Sequence, residues 1–121
     1  MAMADYVKVF NMENIVDICF YIDQDKILAI GDKINEICEY AEMSGYNWEA
    51  LLNYYLEYNA PELLDGLGDD PEAGMYAAYY DLSSENEKKA EKFADIITHL
   101  VENEEELYSL VREHGDEIEW D

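Results

Sequence analysis

The chain has 121 residues, the size of one domain, and carries 30 Asp and Glu against 7 Lys and Arg, a formal net charge of -23. A surface of that sign repels phosphate, which excludes nucleic acid and anionic membranes as ligands. Half of the residues are apolar and 13% are aromatic, so the chain lacks the low hydrophobicity of disordered acidic tails and is expected to fold around one core, as a single domain over 1–121.

No run of 18 apolar residues occurs, and the N-terminal MAMADYVKVF has no basic region followed by an apolar one, so the expected location is the cytoplasm. Cys19 and Cys38 sit inside apolar patterns without metal spacing and read as reduced core thiols. Two readings account for the charge. It can serve solubility alone, or its field can speed the capture of a basic partner by ~10 to 1,000-fold.

The segments Asp5 to Phe10 and Ile15 to Ile22 have strand character and are joined by the polar NMEN, which predicts a hairpin. Ile27, Ile30, Ile34, Ile37, Cys38 and Ala41 then recur at helical spacing, predicting an amphipathic helix from about Leu28 to Ser44 with Gly45 as a left-handed stop. Asn47 is the expected cap of a second helix that buries Trp48, Leu51, Leu52, Tyr55 and Leu56. Tyr54 and Tyr58 fall on a different side beside Glu57, where they either face a partner or pack under the following loop.

Pro61 starts a further turn, PELLDG, closed by Gly66. The loop GLGDDPEAG carries Asp69, Asp70 and Glu72, with Asp65 just before it. These acids lack the ligand spacing of a calcium loop, so no metal is expected and their repulsion points to a basic partner. MYAAYYD reads as a strand with Met75, Ala77 and Tyr79 on one side and Tyr76, Ala78 and Tyr80 on the other. Ser84 and Glu87 form an expected capping box for a long helix with the stripe Ala90, Phe93, Ala94, Ile97, Leu100 and Val101. Asn103 and Glu106 repeat that arrangement before a helix buried through Leu107, Leu110 and Val111 and stopped at Gly115. The tail DEIEWD fits either a short edge strand or a frayed end.

The order of elements predicts an α+β fold, a small antiparallel sheet of three or four strands with about four helices packed on one face. His99 and His114 stand near no nucleophile motif, and HExxH, GxSxG and GxxxxGK[ST] are all absent, so no enzyme and no cofactor are expected.

The segments YNWEALLNYYLEYNAPELL and DPEAGMYAAYYD resemble the immunity protein 51 family of bacterial polymorphic-toxin and contact-dependent growth inhibition systems. The resemblance implies a protein encoded beside a toxin, which binds the toxin's C-terminal domain in the cytoplasm and blocks it, as a monomer or as a heterodimer with the toxin. It implies no catalytic residues. A nuclease toxin has a basic site for phosphate, so the expected contacts are Asp65, Asp69, Asp70 and Glu72 with Tyr54, Tyr58 and Tyr76. The competing readings are an acidic mimic of nucleic acid and a regulatory adaptor, each binding a basic host protein.

Overall fold

A computed structural model describes residues 5–121. Two strands, β1 (Val7–Asn11) and β2 (Ile15–Tyr21), form the expected hairpin, and two helices follow, α1 (Asp25–Ile37) and α2 (Gly45–Asn59). A 3-10 turn at Pro61–Leu63 leads to β3 (Gly68–Asp69) and β4 (Met75–Asp81). The helices α3 (Ser84–Glu102) and α4 (Glu104–His114) complete the order. The sheet is fully antiparallel with strand order β1-β2-β4-β3, so the α+β reading holds and the fourth strand is the short β3, inside the stretch expected to be loop.

Strand alternation decides which residues meet the helices. Pairing sets Val7 against Phe20 and Phe20 against Tyr76, Val9 against Ile18 and Ile18 against Ala78, and Val16 against Tyr80. These residues share one face, and Phe20, Tyr76, Ala78 and Tyr80 are fully buried. On that face α3 packs along β1 and β2, α2 packs on β4, and α1 and α4 pack on each other, with α4 also against α3. The α3 stripe from Ala90 to Val101 is buried throughout, as its spacing requires. Trp48 stands edge-on to Phe20 with ring centroids 5.0 Å apart where α2 meets the sheet. Each such large apolar side chain contributes roughly 1.5–3 kcal/mol on burial.

Three boundaries differ from expectation. The helix α1 starts at Asp25 and ends at Ile37, because Cys38 is extended and the Asn35 side chain donates to the Cys38 and Glu39 carbonyls at 3.4 and 3.3 Å. Ala41 keeps the helical spacing but is buried in the connection. Gly45 is therefore no stop. It opens α2, donates its N–H to the Ala73 carbonyl at 3.1 Å, and a Cβ there would overlap the Glu72 and Met75 carbonyls. The one left-handed glycine among the described residues is Gly66, which closes the turn as expected, at φ 78°.

The caps shift as well. Ser44, with extended backbone, precedes α2, and Asn47 lies inside its first turn with its side chain turned to distant partners. Ser83, not Ser84, caps α3, its Oγ accepting the Asn86 N–H at 3.1 Å, while the Glu87 carboxylate receives the Asn11 amide. The Asn103 side chain donates to the His99 carbonyl at 2.8 Å, finishing α3, and Glu106 pairs with the His99 ring. The tail is neither strand nor frayed. Ile118 is buried, and the Trp120 indole donates to the Gly115 carbonyl at 3.0 Å.

Candidate interaction surface

The hydrogen bonds of Asn47 explain why an acidic groove forms. Its amide nitrogen donates to the Glu42 carbonyl at 2.6 Å and its oxygen accepts the Asp121 N–H at 2.6 Å, inside a residue only 3% exposed. That pair ties the tail across the start of α2. The hollow between tail and helix is about 420 Å³ and is lined by Tyr46, Glu49, Ala50, Asn53, Tyr54 and Glu57 from α2 and by Glu117, Glu119, Trp120 and Asp121 from the tail. Five of those residues are acids and none is Lys or Arg.

Like charges held this close disfavour their own ionisation. The Glu49 carboxyl is raised above its ordinary value, first by burial and then by Asp69 and Asp121. The Tyr54 hydroxyl is raised by loss of solvent and by Glu117. Glu117 is held in place by the His114 ring nitrogen at 2.6 Å, and Tyr54 lies over that ring with centroids 5.7 Å apart. Tyr58, 66% exposed, extends the aromatic wall, its ring centroid 4.8 Å from that of Tyr54. Asn53 donates to the Asp69 carboxylate at 3.2 Å, and its own oxygen is buried without a hydrogen-bond partner.

The expected contact residues are thus only partly assembled. Tyr54, Tyr58 and Asp69 border the groove. Asp70 and Glu72 lie exposed on the β3–β4 hairpin, where the Asp70 and Glu72 N–H groups donate to the Ala77 and Met75 carbonyls at 2.8 and 2.7 Å. Asp65 lies apart, its carboxylate 4.0 Å from Lys89. Tyr76 is fully buried with its hydroxyl donating to Asp69 at 2.6 Å, so its side chain offers a partner no surface. It orients Asp69 from beneath. Glu49, Glu57, Glu117, Glu119 and Trp120 line the groove without being among the expected contacts, and the tail residues carried no local signal, since only the folded chain brings them to α2.

A larger hollow of about 850 Å³ lies between β1 and α3, but its lining mixes Lys8 and Lys88 with Asp5, Glu87 and Glu91. It lacks the single sign of charge that singles out the α2 groove. Both histidines are engaged by carboxylates, His99 by Glu106 and His114 by Glu117. Among the described residues no three His, Cys, Asp or Glu side chains converge as metal ligands do, and no helix is long and apolar enough to cross a membrane.

No curated protein and no solved structure matches the chain. The family model described as immunity protein 51 matches residues 7–116, nearly its whole length, and the chain therefore belongs to the immunity protein 51 family.

Proposed function

We propose that the chain neutralises a cognate toxin by binding its C-terminal domain, a basic protein, through the acidic groove of α2 and the tail. Membership of an immunity family supports a toxin as partner. The observation that carries the rest is the groove's lining, five carboxylates and three aromatic side chains with no cation among them. A nuclease holds its substrate's phosphates with Lys and Arg, and carboxylates set in a groove can take the place of those phosphates. Tyr46, Tyr54 and Trp120, with Tyr58 beside them, supply the contact area that charge alone lacks. Asp69, Asp70 and Glu72 on the adjoining hairpin and Asp65 beyond it extend the acidic field. The toxin's active site or substrate surface is covered, no covalent chemistry is involved, and the complex forms in the cytoplasm as a heterodimer.

The test uses Glu57 and Glu119, exposed groove residues outside every hydrogen bond and ion pair described above. Reversing both to Lys is expected to weaken binding of the C-terminal domain of the toxin encoded beside the chain by roughly 100-fold, at unchanged melting temperature. Cells carrying that toxin should lose protection. Full protection by the double variant would contradict the groove as the binding surface.

A further inference from the structure

The sheet has a second face, which no helix covers among the described residues. Because Val16, Ile18 and Phe20 face the helices, Ile15, Asp17, Cys19 and Tyr21 face the other way. The pairing extends this face to Phe10 on the edge strand β1, which also borders the hollow beside α3, and to Met75, Ala77 and Tyr79 on β4. An antiparallel sheet normally turns polar residues outward. Here the outward set is mostly apolar and aromatic, in a chain of net charge -23. Phe10 and Tyr79 are 43% and 38% exposed, whereas Cys19 and Ala77 are buried beneath their neighbours although they stand outside the core cluster.

One carboxylate sits in the middle of this face. Asp17 lies on the central strand β2, with Phe10 directly opposite on β1 and Tyr79 directly opposite on β4. The Tyr79 ring is fixed over Gly68, where a Cβ would collide with it. Asp17 is half-buried and accepts a hydrogen bond from the Cys19 thiol at 3.7 Å. Burial raises its carboxyl, the hydrogen bond from the Cys19 thiol offsets part of that, and Asp70 adds a smaller rise. Lys8 stands on the same face one row away, opposite Cys19, yet no ion pair links it to Asp17 among the described residues.

A half-buried carboxylate without a cation costs free energy in the free protein, and a partner's cation recovers it. We infer that the outer face of the sheet is a docking surface for a basic protein, with Asp17 receiving one Lys or Arg side chain between Phe10 and Tyr79. The inference rests on the proposed function for its partner, the toxin domain, and adds a surface to it. The β3–β4 hairpin joins the two surfaces, Asp69 serving the groove and Asp70 this face. A second copy of the chain is a poor occupant, because its net charge of -23 would face the same charge.

The experiment measures affinity for the C-terminal domain of the neighbouring toxin in three variants, Asp17→Asn, Phe10→Ala and the Glu57→Lys/Glu119→Lys double, alongside sedimentation of each chain alone. Asp17→Asn is expected to lose about 30-fold in affinity and Phe10→Ala about 10-fold, with the free variants monomeric and folded. Wild-type affinity in both, with loss confined to the groove double variant, would overturn this surface and leave the proposed function standing. A wild-type chain indifferent to the toxin domain would overturn both. A wild-type dimer that Phe10→Ala dissociates would reassign the face to self-association.

Discussion

Asn47 holds the N–H of Asp121, 74 residues away in sequence, at 2.6 Å from its side-chain oxygen. The same side chain donates to the Glu42 carbonyl, so one buried amide joins the start of α2 to the tail that walls the groove. Asn47→Ala leaves a part-buried carbonyl and a part-buried N–H without partners, at an expected cost of about 2–3 kcal/mol. Urea unfolding should show that loss. Trp120 emission should move to longer wavelength before the global transition as the tail leaves α2, and an unchanged Trp120 spectrum would contradict the tie.

Gly45 faces backbone, not a side chain that could move aside. Gly45→Ala would press a methyl group into the Glu72 and Met75 carbonyls of the β3–β4 hairpin. Overpacking of this kind costs about 3 kcal/mol. A thermal melt of this variant within a degree of wild type would show that the hairpin does not bear on α2 as described.

Stability should rise on mild acidification. The Asp17 and Glu49 carboxyls are raised in the folded chain, so their protonation favours folding. The stability they contribute is fully present below their ordinary values and is lost as pH climbs through the folded ones. Glu62 and Glu102 are lowered, Glu62 first by its hydrogen bond from Lys92 and Glu102 first by that from Lys26. Their contribution is present above the ordinary value and is lost as pH falls through the lowered one. The melting temperature is therefore expected to increase as pH falls from neutral and Asp17 and Glu49 take up protons, and to decrease at still lower pH as Glu62 and Glu102 lose their charge. In the double variant Asp17→Asn/Glu49→Gln the rise should be smaller, and an identical rise would remove these two groups from the account.

Burial and the adjoining Asp17 push the Cys19 thiol up to about 11 from 9.0. At neutral pH its thiolate population is then lower by roughly 100-fold, before access is considered. Iodoacetamide should modify Cys19 at least that much more slowly than the same cysteine in urea-unfolded chain. Equal rates would show that the outer face does not cover it.

The sheet and the helical stripes were legible because each is a local periodicity. MYAAYYD alternates as a strand, and the stripe from Ala90 to Val101 is buried residue for residue. The same alternation places Tyr76 beside Ala78 and Tyr80, and that parity was the available signal that Tyr76 belongs to the core. The misjudged positions are those whose reason lies far along the chain. Gly45 has the local look of a helix stop, yet it lacks a side chain because the hairpin near Ala73 passes against it. Asn47 has the local look of a cap, but its amide serves Glu42 and Asp121. Spacing carried the first helix on through Ala41, while the chain leaves the helix at Cys38 and buries Ala41 from a loop. The groove suffers most from this limit, since its two walls are separated by about half the sequence.

The central claim is that carboxylates held without cations are there to grip a cationic toxin domain. Its most direct test is the dissociation constant of the wild-type complex with the neighbouring toxin's C-terminal domain between about 50 and 500 mM salt, with association rates followed in parallel. Affinity should weaken by at least tenfold across that range, mainly through slower association, and the Glu57→Lys/Glu119→Lys variant should show a shallower dependence. An affinity indifferent to salt, or a double variant that binds as wild type does, would contradict it.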